Sequence, residues 1–265
     1  MFSGAFPRLP AYGLASRVSN RAVLWLPTQL SALALWLRAD KGVSPRIDDG
    51  TTFVTAWADQ SGHNRHFAQG TAANQPTLIA ASDINGKPAI QFVGTPIQYL
   101  QNTTDTILQG TTDPFTIVFV AKAISAASLQ ALGQIKGAPG EFNILLGTNT
   151  LADNISLGKN TVWTNSRYTF TGFDITAVSK YLITKTSENA LADYAVEWNG
   201  NAHATRVAGP SMSSDTRSTV GSRWFSSNPQ QVWNGLIAEV IVMNALISAA
   251  EKNRLMAYLL TRYGV

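Results

Sequence analysis

The sequence contains no cysteine, only three histidines and few charged residues. The absence of cysteine excludes disulfide bonds, thiolate zinc sites and cysteine nucleophiles. Charged residues make up 14% of the chain, and the formal net charge is only +4. No run of Lys or Arg occurs, so the clustered basic stripe of a nucleic-acid-binding protein is missing. We therefore expect no nucleic-acid partner.

Long apolar runs are missing as well. The longest run, LSALALWL at residues 30–37, is far shorter than the ~20 apolar residues of a membrane-spanning helix. The first residues contain prolines and arginines where the apolar region of a signal peptide would lie. The sequence thus predicts no membrane insertion and no export by a signal peptide, which leaves a route such as release by lysis.

Residues 1–29 differ from the rest of the chain because they carry three arginines, three prolines and no acidic residue. Apolar residues on a segment interrupted by proline suggest an arm that docks on another surface. Its predicted anchors are Phe2, Phe6, Arg8, Tyr12 and Arg17. The alternative is a frayed terminus or an edge strand of the main domain.

From residue 30 onward, short apolar, β-branched and aromatic runs alternate with turn sequences. Examples of these runs are TTFVTAW (51–57), FTIVFVAKA (115–123) and LIAEVIVMNAL (236–246). Many short strands at such spacing, with 45% hydrophobic residues to fill a core, predict an all-β fold. We expect a two-sheet antiparallel sandwich or jelly roll over residues 30–265.

One helix is predicted, at residues 248–263. Ser248 and Glu251 have the spacing of a capping box, and Leu255, Leu259 and Tyr263 form one apolar stripe. This stripe predicts a terminal helix that packs against the sandwich.

The order of these segments resembles the concanavalin A-like, laminin-G-like jelly-roll domains. The resemblance covers residues 30–265 and rests on LALWLRAD (33–40), VTAWADQSGHNRHFAQ (54–69) and NGKPAIQFVG (85–94). It is most specific in the closing segment 233–265, which has a terminal strand, a capped helix and an RYG end. The resemblance implies a fold that hosts lectins, glucanases and structural modules, and domains of this type resemble those displayed on phage heads, tails and fibres.

The segment WADQSGHNRH (57–66) contains two of the three histidines. Zinc needs three or four converging ligands, whereas side chains three residues apart in an extended chain point to opposite faces. We interpret the segment as a structural turn in which Asp59 accepts backbone N–H groups, Ser61 is a polar turn residue and Gly62 adopts a conformation that other residues resist. The resemblance leaves open a calcium ion near Asp59; no other cofactor or metal is expected.

The sequence also argues against catalysis. Glycosidases need two carboxylates across the scissile bond, yet none of the five glutamates has an aspartate two residues later. Glu239 lies in an apolar strand, where a partnered structural carboxylate is expected. Serine-hydrolase, P-loop and metalloprotease motifs are absent, and consecutive turn residues cannot form a Ser-His-Asp triad.

The remaining class of function is ligand binding without catalysis. Trp163, Trp198, Trp224 and Trp233 lie in turn-rich sequence, where an exposed indole can stack on a sugar; the alternative is that they fill the core. The best glycan-binding segment is 218–235, because it combines polar and aromatic side chains suited to recognition. Its predicted contact residues are Arg223, Trp224, Asn228 and Gln230.

Together, these features favour a non-enzymatic phage virion protein. In this hypothesis, the arm binds other virion proteins, the jelly roll is exposed, and a host-surface glycan is a further partner. Homo-oligomerisation is left open. A free or secreted carbohydrate-binding module is the alternative, followed by a degenerate glycoside hydrolase.

Overall fold

The computed structural model describes residues 25–108, 113–125, 130–137, 140–146, 154–159, 167–186, 194–203, 205–209, 217–225 and 227–265. Within these ranges the chain forms twenty strands and one α-helix, with two short 3₁₀ turns at Pro27–Gln29 and Ala72–Asn74. The strands are β1 Leu33–Arg38, β2 Val43–Asp48, β3 Thr51–Trp57, β4 Phe67–Ala68, β5 Thr77–Ile79, β6 Ala89–Phe92, β7 Leu100–Asn102, β8 Phe115–Ala123, β9 Gln130–Gly137, β10 Gly140–Leu146, β11 Asn154–Lys159, β12 Arg167–Thr171, β13 Ser179–Lys185, β14 Tyr194–Trp198, β15 Asn201–His203, β16 Thr205–Gly209, β17 Ser218–Val220, β18 Arg223–Phe225, β19 Asn228–Gln230 and β20 Gly235–Met243. The helix is α1, Ala249–Tyr263.

The strands form two antiparallel layers. The first layer has the order β1-β20-β8-β13-β14-β15. The second has the order β2-β3-β4-β7-β17-β9-β10-β11-β12-β16. Strands β5 and β6 link the layers, because β5 pairs with β3 and β6 pairs with β20. The predicted all-β sandwich of the jelly-roll type is therefore confirmed.

The core lies between the two layers. In β8, alternate residues from Phe115 to Ala123 point into it, as the period-two pattern of FTIVFVAKA predicts. Opposite them, the second layer contributes Trp57, Phe67 and Leu100, all without solvent exposure. The other face of β8, which carries Val118 and Val120, points outward into a second apolar cluster.

Helix α1 covers that outward face of the first layer. Leu255, Leu259 and Tyr263 are its buried residues, as the stripe predicts. The Ser248 hydroxyl accepts a hydrogen bond from the Glu251 N–H, and Glu251 binds Ser248 in return, which completes the predicted capping box. No helix in the part of the chain that the structure describes is long and apolar enough to cross a membrane.

Residues 25–29 belong to the packed domain, although the sequence placed them in the arm. Pro27 is buried, and Trp25 and Leu26 pack against the cluster beneath α1. The Trp25 ring meets the Tyr258 ring edge-on at 6.0 Å. The apolar residues at this end of the predicted arm therefore bind the chain's own helix. The predicted anchors between Phe2 and Arg17 lie outside the described residues.

Candidate functional site

The four predicted glycan-contact residues lie together on one two-stranded hairpin, formed by β18 and β19. Arg223 is opposite Gln230, and Asn228 is opposite Phe225. The chain enters this hairpin from β17 through Gly221, whose φ is +83° and where a Cβ would come within 2.1 Å of the Phe92 ring. A side chain cannot be accommodated at this turn, so glycine fixes where the hairpin begins.

The hairpin lies over the outward face of the second layer. Leu100 of β7 points into the core, so its neighbours Tyr99 and Gln101 point outward by alternation. Tyr99 meets the Trp224 ring edge-on with centroids 5.5 Å apart. The backbone N–H of Trp224 donates to Oε1 of Gln134 in β9, at 3.1 Å. These contacts hold the hairpin against β7 and β9.

Trp224 is buried rather than presented as an open stacking platform. The residue is only 8% exposed, and the guanidinium carbon of Arg217 lies 3.8 Å from the ring centroid. The ring is therefore enclosed between a cation and the Tyr99 ring. The hypothesis of an exposed indole at this position does not match its environment.

The indole N–H of Trp224 has no hydrogen-bond acceptor among the described residues, although it is buried. The hydroxyl of Ser222, two residues earlier, is in the same condition. Leaving a buried polar group unsatisfied costs about 1–3 kcal/mol, and buried donors in native proteins nearly always find a partner. The indole N–H groups of Trp25 and Trp57 also lack an acceptor among the described residues. At the hairpin, a polar ligand that reached the Trp224 N–H would gain a hydrogen bond.

The remaining polar groups at the hairpin are amides and guanidiniums. Asn228 and Gln230 are exposed. The half-exposed Arg217 donates to Oε1 of Gln101 at 3.0 Å, and the buried Arg223 donates to Oε1 of Gln231 at 3.3 Å. Burial lowers the pKa of Arg223. Residues 216–238 contain two arginines and no acidic residue, so the hairpin is locally basic.

The sequence groups the four predicted contact residues in one segment, but it does not indicate the side chains that surround Trp224. Tyr99, Gln101 and Gln134 lie about 90–125 residues before Trp224 in the chain. Alternation within β7 shows which residues point outward, but it does not reveal that β7 pairs with β17. That pairing depends on the sheet order, which no local pattern encodes.

The segment WADQSGHNRH forms a tight turn against β1. Oδ1 of Asp59 accepts the backbone N–H groups of Trp36 and Ser61, at 3.0 and 2.8 Å. Its Oδ2 accepts the Ser61 hydroxyl and the Arg65 N–H, at 2.7 and 3.1 Å. Gly62 follows with φ +94°, which glycine adopts without strain. These bonds tie the turn to the core and use the acceptor positions of the Asp59 carboxylate.

Each of the two histidines in the turn is engaged by backbone groups. Nδ1 of His66 accepts the Asp59 N–H at 3.0 Å, and Nε2 of His63 lies 3.0 Å from the carbonyl oxygen of Leu33. Within the described residues, no three His, Cys, Asp or Glu side chains converge to hold a metal ion. The turn offers no geometric support for zinc.

Glu239 is a buried carboxylate with its own set of donors. A register shift in β20 between Ile237 and Glu239 turns this residue outward, beneath α1. Its side chain accepts the Trp36 indole N–H at 2.5 Å and the hydroxyls of Tyr258 and Tyr263 at 2.9 and 2.6 Å. Burial raises the pKa of Glu239. The environment is that of a sealed structural carboxylate, as its apolar strand predicts.

The other glutamates with described side chains are also engaged. Glu251 completes the helix cap and accepts the Ser31 N–H at 3.0 Å, and Glu197 forms an ion pair with Lys252 on α1. Glu188, and the side chain of Glu141, lie outside the described residues. The described glutamates therefore serve to dock or cap the helix.

Two further tryptophans fill the interior. Trp233 has no solvent exposure, and its indole N–H donates to the Leu236 carbonyl oxygen at 3.3 Å. Trp198 is half-buried, and its indole N–H donates to the Ser179 hydroxyl at 2.6 Å. Both match the interpretation that these residues are core or rim aromatics. Trp163 lies outside the described residues.

Comparison with solved structures identifies similar folds. The binding domain of Paraclostridial mosquitocidal protein 1 aligns with a TM-score of 0.55 at 10% identity, over 87% of this chain. An arabinofuranosidase in complex with arabinofuranosyl-α-1,2-xylobiose aligns at 0.56 and 14%, over 88% of this chain. The receptor-binding domain of botulinum neurotoxin type G aligns at 0.51 and 11%, over 86%. At these identities the likeness establishes the fold, a lectin-like β-sandwich.

The chain spans about half the length of the two toxin domains, 52% and 51%, and 60% of the arabinofuranosidase. No protein-family model matches the sequence, and no curated protein matches it either.

Proposed function

We propose that this protein is a non-catalytic carbohydrate-binding domain whose ligand contacts the β18–β19 hairpin. The observation that carries the proposal is the unsatisfied indole N–H of Trp224 in a hairpin whose opposite face carries the exposed amides of Asn228 and Gln230. Sugars present closely spaced hydroxyls, each of which both donates and accepts hydrogen bonds. Amide side chains also donate and accept hydrogen bonds, and the Trp224 indole N–H needs an acceptor.

Two exposed amides are placed to contact a saccharide. Asn228 and Gln230 are separated by one residue in β19, so their side chains project from the same face of the strand. A separation of two residues corresponds to about 7 Å, which is close to the length of one or two sugar rings. Arg223 lies opposite Gln230 and adds a guanidinium beside them.

The hairpin is suited to open for a ligand. Its two strands form a sheet of their own, separate from the large layers. Trp224 is opposite Pro229, so its indole lies on the face of the hairpin that packs on Tyr99, and a ligand would reach the N–H by lifting this face from the second layer. The ligand would then supply the missing acceptor, and it would offset the cost of that movement.

The similar folds support the same class of function. Two of the three structures are named as binding domains of toxins, and the third is a glycosidase in complex with an arabinofuranosyl xylobiose. A glycosidase activity in this chain is not favoured, because Glu197, Glu239 and Glu251 are engaged at or beneath α1. Binding without catalysis is the function that these side chains support.

The virion role stays a prediction. It rests on the resemblance and on the predicted anchors of the arm, which lie outside the described residues. A carbohydrate-binding domain is compatible with display on a phage particle, and mass spectrometry of purified particles would test that placement.

A glycan array followed by calorimetric titration tests the proposed function. We expect the full chain to bind at least one saccharide, and we expect Asn228→Ala combined with Gln230→Ala to weaken that binding about tenfold or more, since each hydrogen bond contributes about 0.5–1.5 kcal/mol. The control is Asn201→Ala, which removes an exposed amide from β15 in the first layer and should leave the affinity unchanged. Failure of every saccharide to bind at millimolar concentration would overturn the proposal.

A further inference from the structure

Strand β2 lies at an edge of the second layer with an accessible backbone. Among the described residues it pairs with β3 alone, and four of its six residues are exposed. Ile47 in this strand is 74% exposed, more than any other exposed large hydrophobic residue in the described part of the chain. An edge strand of this kind presents N–H and C=O groups that another strand can pair with.

The turn that closes the β2–β3 hairpin fixes which backbone groups point outward. Asp49 and Gly50 have φ values of +46° and +73°, typical of a two-residue type I′ turn. In such a hairpin the flanking pair, Asp48 and Thr51, exchanges hydrogen bonds, and bonded and non-bonded pairs then alternate. Ile47 falls in a non-bonded pair, so its N–H and C=O point away from β3.

The position of Pro45 is consistent with this alternation of bonded and non-bonded pairs. This residue lies two residues from Ile47, so its nitrogen also points away from β3, at a position where a missing N–H costs nothing inside the chain. The outward edge of β2 is thus centred on the backbone groups of Ile47.

The side chains around Ile47 are complementary to a second copy of the same strand. Antiparallel pairing about a two-fold axis at Ile47 places that residue opposite its own copy, with both outward N–H and C=O groups bonded reciprocally. The same register places Arg46 opposite Asp48 of the second copy. Opposite charges and β-branched residues in such cross-strand positions stabilise a sheet.

Within one chain, these two charged residues are already held in reach. Nη1 of Arg46 donates to Oδ2 of Asp48 at 2.7 Å, and the Arg46 guanidinium lies 4.4 Å from the centroid of the Phe53 ring. Nε of Arg46 donates to Oε1 of Gln75 at 2.8 Å. The guanidinium is thereby oriented before a second copy arrives, which lowers the entropy cost of pairing.

We propose that the protein forms a symmetric dimer in which two β2 strands join the second layers of two copies into one continuous sheet. The contact is short, so the dimer should be weak and should depend on concentration. Its benefit is avidity, because two linked domains present two copies of any binding surface to the same target. This inference rests on β2 and does not depend on the proposed carbohydrate site.

A single engineered cysteine tests the register, since the chain has no cysteine of its own. In Ile47→Cys, the two thiols would lie on residues with Cα atoms about 5.5 Å apart, within the range that a disulfide bridges. We expect oxidation to give a covalent dimer on non-reducing gels at a rate at least tenfold above that of Ser44→Cys. Ser44 is exposed in the same strand, but it would lie about 20 Å from its own copy in this register. Equal rates for the two variants would overturn the proposed register.

A charge exchange tests the pairing without cross-linking. Asp48→Arg alone places two arginines opposite each other, and we expect it to weaken the dimer at least tenfold. Arg46→Asp combined with Asp48→Arg restores opposite charges both within and between chains, and it should recover dimerisation. Sedimentation of the unmodified full chain should show a mass rising above 28.5 kDa with concentration. A constant monomer mass up to the solubility limit would overturn the proposal.

Discussion

The outward faces of the two layers are covered in different ways. On the first layer, α1 seals Glu239, whose side chain has no solvent exposure and accepts hydrogen bonds from Trp36, Tyr258 and Tyr263. On the second layer, the β18–β19 hairpin packs through Trp224, whose indole N–H has no acceptor among the described residues. The Glu239 carboxylate is thus satisfied within the chain, whereas the Trp224 indole N–H is not. On the first face, the Trp25 indole N–H also lacks an acceptor among the described residues.

Under the proposed function, the same kinds of side chain serve two purposes. Polar groups that find their partners inside the fold fix the position of an element, as Glu239 fixes α1. Polar groups that lack partners inside the fold, or face solvent, remain available for a ligand. The first face is therefore expected to respond to mutation through stability, and the second through binding.

The largest effect on stability is expected from the apolar residues beneath α1, on the outward face of the first layer. Leu259→Ala removes a fully buried side chain of α1 and should lower the free energy of unfolding by about 2–5 kcal/mol. Ser248→Ala removes the N-cap and should cost about 0.5–2 kcal/mol. Denaturant unfolding measures both values. Small and equal losses would show that α1 is not docked on the first layer.

A smaller effect is expected in the pH dependence of stability, because two carboxylates at α1 respond in opposite directions. Burial raises the pKa of Glu239, so its stabilising contribution is complete below the unfolded value of 4.5 and is lost as pH rises through the folded pKa. Hydrogen bonds, chiefly from the Ser31 N–H, lower the pKa of Glu251 to about 2. Its contribution is present above pH 4.5 and is lost as pH falls toward 2.

The reference variants are Glu239→Gln and Glu251→Gln, compared with the unmodified chain across pH 2–8. The difference in unfolding free energy should shrink with rising pH for the first variant and with falling pH for the second. If the difference changed with pH in the same direction for both variants, the opposite pKa shifts of Glu239 and Glu251 would be contradicted.

Much of the structure of the first layer and of α1 can be predicted from the sequence. The apolar period of two in β8 predicts which residues enter the core, and the capping box and apolar stripe predict the bounds and orientation of α1. The outward turn of Glu239 depends on an irregularity in β20, which no alternation pattern announces. Strand β2, with the sequence VSPRID, is missed because an exposed edge strand has no apolar face to signal it.

The arrangement of the β18–β19 hairpin on the second layer is harder to predict from the sequence. The composition of residues 218–235 predicts a binding segment, but the burial of Trp224 depends on Tyr99 and Arg217, which lie outside that segment. Local sequence records which side chains are available, whereas sheet order decides which of them meet. Composition therefore selects the predicted contact residues, whereas their relative positions are seen only in the folded structure.

The most direct test of the central claim compares two indole N–H groups. Trp224→Phe removes a donor that has no acceptor among the described residues, whereas Trp198→Phe removes one that is satisfied by Ser179. For the saccharide identified on the array, calorimetric titration should show binding about 3–10-fold weaker for Trp224→Phe, with nearly unchanged thermal stability. Trp198→Phe should lower the free energy of unfolding by about 1–3 kcal/mol and leave the affinity unchanged. Unaltered affinity in Trp224→Phe would contradict the account of the hairpin as the carbohydrate site.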